Sequence, residues 1–110
     1  MGYTARQVES SIFIAKEDVE RLSETLEQEH AWNFIKNNEG DIIEFYFVAD
    51  KPKEEDIEFL KTIAPYVEEY SFVELLGEDG LRWRWVMAKS RVYELRPEIR
   101  WNVHSKTPKI

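Results

Sequence analysis

Two alternating runs of residues flank Gly77-Glu78-Asp79-Gly80 within Ser71–Met87, and this segment constrains the fold more than any other. A three-residue loop with Gly80 in the left-handed conformation pairs Gly77 with Leu81, and the remaining register follows from that pair. Leu75 then faces Trp83, Val73 faces Trp85 and Glu74 faces Arg84, so apolar residues meet on one face and opposite charges on the other. A two-residue loop would set Glu74 against Trp83 and Leu75 against Arg82. The three-residue register is therefore the one expected.

Other elements are placed around this hairpin by periodicity. Val8 to Ala15 ends in Ser10-Ser11-Ile12-Phe13-Ile14 and reads as a first strand. From Lys16 to Glu29 the period becomes helical, with Val19, Leu22 and Leu26 on one face and Glu17, Asp18 and Glu20 in the first turn. Ala31 to Lys36 and Asp41 to Val48 flank Asn37-Asn38-Glu39-Gly40, a turn composition that predicts a second hairpin, with Ile43, Phe45 and Phe47 turned to one side. Pro52 and Glu54-Glu55-Asp56 open another helix, whose stripe is Ile57, Leu60, Ile63 and Ala64, and Pro65 should end or bend it. Arg91–Leu95 and Ile99–Val103 read as two further strands, broken at Pro97.

The order predicts an α+β, two-layer sandwich with a ferredoxin-like βαββαβ core, its antiparallel sheet extended by a C-terminal β-meander. Both helices are expected on one face, and the other face is expected to be partly open and lined by aromatic side chains. One domain spanning residues 1–104 with a tail at 105–110 fits a chain of 110 residues. A hydrophobic fraction of 43% is too high for a disordered chain.

Charge is distributed unevenly. Residues 1–80 carry −13 and residues 81–110 carry +6, which make up the net −7. An acidic majority argues against generic binding to nucleic acid and favours a partner that is itself basic. There is no cysteine, so disulfides and cysteine zinc sites are excluded, and no cofactor or metal is expected. The start Met-Gly-Tyr-Thr-Ala-Arg lacks the apolar core of a signal peptide, and no apolar run reaches the roughly 20 residues that span a bilayer. A cytoplasmic protein without membrane contact is the expectation.

Three groups of residues invite a functional reading. Arg82, Trp83, Arg84 and Trp85, with Trp101, offer residue types that dominate binding hot spots and stack on bases. Strand alternation, however, sends the tryptophans to a core and the arginines to acids such as Glu74 on the opposite face. The acids Glu17, Glu20, Glu24, Glu27, Glu54, Glu55, Asp56 and Glu58 would present two acidic helices side by side, imitating phosphate rows, or else form an ordinary solvated face. Glu78 and Asp79 are accessible carboxylates at a loop tip, where satisfying local N–H groups is their usual role. His30 and His104 lack a third ligand, and the serines sit in no nucleophile elbow.

The blocks Ala64-Pro65-Tyr66-Val67-Glu68 and Gly77-Glu78-Asp79-Gly80-Leu81-Arg82-Trp83-Arg84-Trp85-Val86 resemble a group of small acidic proteins of unknown function from Gram-positive bacteria and their phages. Tyr3-Thr4-Ala5-Arg6-Gln7-Val8-Glu9-Ser10 and Gly40-Asp41-Ile42-Ile43 also look like that group, so the resemblance covers most of the chain. It departs in a shorter stretch between the first helix and the hairpin, and in an Ala88-Lys89-Ser90 turn that lacks glycine. The resemblance implies a bacterial or phage origin and no catalytic residue.

Two functional classes are carried forward. One is a non-enzymatic acidic module that binds a basic, nucleic-acid-handling host protein, in its sharpest form a phage-type inhibitor of the anti-CRISPR or immunity-protein kind. The alternative is a small-ligand binder or minor enzyme with a pocket of Trp83, Tyr93 and Trp101 between the open sheet face and the tail. A homodimer through that face is a third outcome.

Overall fold

The computed structural model describes residues 3–97. The expected strand Ile99–Val103 and the tail, with Trp101 and His104, lie outside the described residues. Within them the order is β1 (Ala5–Ser11), α1 (Lys16–Arg21), α2 (Ser23–Glu27), β2 (Trp32–Lys36), β3 (Ile42–Phe47), α3 (Glu54–Ile63), β4 (Ser71–Gly77), β5 (Arg82–Ala88) and β6 (Arg91–Leu95). A 3₁₀ turn at Ala64–Tyr66 follows α3, where Pro65 stops the helix.

The α+β class holds, but the ladder divides the strands where the sequence pattern predicts one sheet. A four-stranded antiparallel sheet has the order β1-β4-β5-β6, and β2 pairs with β3 alone. The division has a local cause at β1. Its register with β4 shifts between Gln7 and Glu9, a bulge that interrupts regular pairing. The Gln7 side chain replaces backbone partners on the other edge, where its amide donates to the Phe45 carbonyl (2.7 Å) and accepts from the Phe47 N–H (2.9 Å). Beyond it, the Ala5 N–H reaches the Asp50 carbonyl at 2.9 Å, and Ile14 bridges Ile42. The expected first strand, Val8–Ala15, is thereby displaced toward the N-terminus.

Both hairpins close by the same turn. Gly77 N–H donates to the Leu81 carbonyl (2.7 Å) and Gly80 N–H to the Gly77 carbonyl (2.9 Å), with Gly80 at φ +86°. Asn37 N–H to Asp41 and Gly40 N–H to Asn37 repeat the pattern, with Gly40 at φ +93°. The expected pairs Leu75–Trp83, Val73–Trp85 and Glu74–Arg84 all form. In the other hairpin the register shifts next to Lys36, which then faces Ile42. Ile42 consequently enters the core and Ile43, expected there, is exposed.

The first helix is also two pieces. Leu22 between them has φ −94° and ψ 3°, although N–H bonds from Leu22 to Asp18 and from Leu26 to Leu22 carry the helical path through the kink. Trp32 centres the core, with its ring 5.0 Å from Phe47, 6.3 Å from Trp85 and 6.5 Å from Phe59 on α3. Burying aromatics of this size stabilises the packing of helix on sheet by several kcal/mol, on the order of 2–3 for each ring. No helix among the described residues is long and apolar enough to cross a membrane.

Candidate functional site

The two faces of β5 separate the residue types that the sequence interleaves. Trp83 and Trp85 are buried on the side of α3, while Arg82 and Arg84 lie on the opposite face. On that face Glu9 of β1 and Glu74 of β4 stand directly opposite each other, an arrangement that like charges disfavour. Arg84 resolves it. Its Nε donates to Glu74 at 2.6 Å and its Nη2 to Glu9 at 3.1 Å. Arg82 Nη1 takes the second Glu74 oxygen at 3.2 Å, so a carboxylate only 6% exposed is held by two guanidiniums. Arg84 also stacks 4.1 Å above the Phe72 ring. The arginines of β5 are thus occupied by carboxylates, and a small cleft of about 260 Å³ is where Arg82 and Arg84 share a lining with Trp83, beside Leu95 and Pro97. Glu9 is the member of this network that sequence reasoning missed; a strand paired to β4 was foreseeable, but its register across a bulge was not.

The aromatic pocket predicted on the open face does not form from Trp83 and Tyr93, because they occupy opposite faces: Tyr93 pairs with Val86, Trp83 with Leu75. On the helix side an open groove of about 520 Å³ runs past Ile57, Leu81, Trp83 and Trp85. Of its polar groups, the Trp85 indole donates to Glu94 at 3.3 Å and Arg96 donates to Glu94 at 3.0 Å, while the buried Trp83 indole N–H has no hydrogen-bond partner among the described residues. Such a groove lacks the enclosure that tunes catalytic groups.

The acids of α1 and α2 have a different setting. Glu17, Glu20, Glu24 and Glu27 are exposed, three and four residues apart on the side away from Val19 and Leu22. None of the four enters an ion pair among the described residues, where Arg21 pairs with Asp18 at 3.6 Å. On α3, Glu54, Glu55 and Glu58 are exposed and Glu58 pairs with Lys61 at 3.1 Å. Asp56 corrects the expectation. It is 3% exposed and its carboxylate accepts the Lys53 N–H at 2.7 Å, satisfying a donor at the start of α3. Burial raises the Asp56 pKa, the Lys53 N–H works against this, and Glu29 and Glu55 add to the rise.

Between the residues that follow α2 and the start of α3 lies an open cleft of about 340 Å³, lined by Glu29, His30, Lys51, Lys53 and Glu55; Glu17, Glu20, Glu24 and Glu27 do not line it. The eight acids named from the sequence therefore form two groups, and seven are exposed, of which Glu58 is paired with Lys61. The loop acids serve structure. Glu78 accepts the Thr4 N–H at 3.0 Å, and Asp79 accepts the Leu81 N–H at 3.0 Å and the Tyr3 hydroxyl at 2.8 Å. The Leu81 N–H, then the Tyr3 hydroxyl, lower the Asp79 pKa. Among the described residues no group of three or more His, Asp or Glu side chains is placed to hold a metal ion. Comparison with known proteins gives no match: no family model fits the chain, and no curated protein or solved structure is similar to it.

Proposed function

We propose that this protein is a non-enzymatic binding module that meets a basic protein through the exposed acids of α1, α2 and α3. The observation that carries the reading is the unequal fate of the charges. Arg82 and Arg84 are taken up by Glu74 and Glu9, whereas Glu17, Glu20, Glu24 and Glu27 stand exposed without ion pairs among the described residues. Carboxylates repeated along a helix present a row of negative charge, as phosphates do, and they steer a basic groove toward the helix. In its sharpest form the module is a cytoplasmic inhibitor that occupies the nucleic-acid groove of a host protein, a role in keeping with the resemblance to small acidic phage and bacterial proteins. Its fold is read as a ferredoxin-like sheet opened between β1 and β3, a reading supported by the antiparallel approach of those strands through Gln7.

The test is capture from bacterial lysate on the immobilised full chain, with and without nuclease treatment. The expected result is a basic protein retained at low salt, released as salt screens the charges, and indifferent to nuclease. Retention that requires nucleic acid, or no retained protein, would overturn the proposal.

A further inference from the structure

β6 is the last strand of its sheet among the described residues. β1, at the other edge, is tied to β3 through Gln7, whereas the ladder of β6 is with β5. Of the five residues of β6, Val92 is half-buried against the core and the other four are exposed.

Both ends of the strand are destabilised. The turn that leads into it places Lys89 at φ +52° and Ser90 at φ +60°, the left-handed region that suits Asn and Gly in a two-residue hairpin. Neither residue is of that kind, and the Glu69 carboxylate holds the turn by accepting the Lys89 N–H. At the far end the chain borders Trp83 twice, with Glu94 and Arg96 in the groove beside α3 and with Leu95, Arg96 and Pro97 in the small cleft near Arg82. The Trp83 indole N–H is buried there with no partner among the described residues, a donor withheld from water. Against this stands the Glu94 carboxylate, which accepts the Trp85 indole N–H at 3.3 Å.

We infer that β6 is a strap that detaches from β5 as a unit, with the rest of the sheet intact, and thereby opens the groove beside α3. Little buried apolar surface and a strained attachment place an element at the low end of the range of local stability. The motion changes the chemistry of the groove. Closed, its Trp85 indole is engaged by Glu94 and its Trp83 N–H is out of reach. Open, it presents two indole donors and their rings on one wall, a surface for an apolar ligand that carries hydrogen-bond acceptors. The acidic helices take no part, so this inference is independent of the proposed function.

Native-state hydrogen exchange of the full chain, followed by NMR at low denaturant, reads the opening directly. The amides that bridge β5 and β6 should exchange at least tenfold faster than those that bridge β4 and β5, with little dependence on denaturant, and the Trp85 indole proton should exchange with them. Lys89→Asn with Ser90→Gly, which fits the turn, should slow this exchange at least fivefold, and Glu69→Ala should speed it, both with the β1–β4 ladder unchanged. Equal protection in the two ladders, exchange of β6 only through global unfolding, or a rate that Lys89→Asn with Ser90→Gly leaves unchanged would overturn the inference.

Discussion

β5 is basic and the α1–α2 segment acidic, and folding treats them in opposite ways. The basic strand is embedded, with its tryptophans packed under α3 and its arginines clamped by Glu74 and Glu9. The acidic helices keep their carboxylates in solvent. The charge of a segment is therefore a poor guide to the charge it shows a partner; cross-strand neighbours decide that.

The comparison is broken most severely on the core side. Trp85→Ala should cost about 3–5 kcal/mol by chemical denaturation, since it removes a ring that contacts both Trp32 and Trp83. On the other face, Glu74→Ala leaves two guanidiniums without their shared acceptor. Both arginines remain about half exposed, so water takes over part of their solvation and the expected loss is about 2 kcal/mol. A double-mutant cycle with Arg84→Ala should show clear coupling, whereas Glu24 should couple to neither.

Asp56 sharpens the contrast among the acids themselves. Asp56→Ala should cost about 1 kcal/mol through the lost acceptor at the start of α3, while Asp56→Asn retains an oxygen for the Lys53 N–H. Because burial raises the Asp56 pKa, the folded state binds that proton more tightly than the unfolded chain. The contribution of this group is full at low pH and is lost as pH rises through its folded pKa. The stability of the native protein relative to Asp56→Asn should accordingly fall from acid to neutral pH, as read by denaturation at each pH. The smallest expected effect is on the helices, where Glu20→Gln or Glu24→Gln should change stability by less than about 0.5 kcal/mol.

Much of this was legible in local chemistry. Gly80 and the alternation around it fix the β4–β5 register, and Pro65 marks the end of α3. The elements that escaped are those in which a side chain or an extra residue stands in for regular backbone. Gln7 acts as a ladder partner, the shift beside Lys36 exchanges Ile42 for Ile43, and Leu22 kinks a helix without proline or glycine. Asp56 looked like one more surface acid because its position near the helix start suits both a solvated charge and an N–H acceptor; burial separates the two, and burial is a property of the assembled fold.

The most direct test of the account is lysate capture by three immobilised proteins compared side by side: the native chain, one with Glu17, Glu20, Glu24 and Glu27 changed to Gln, and one with Arg82 and Arg84 changed to Gln. The account predicts that the helix variant loses the salt-sensitive partner while the arginine variant, less stable but folded by circular dichroism, still retains it. Loss of the partner from the arginine variant, with full retention by the helix variant, would contradict it.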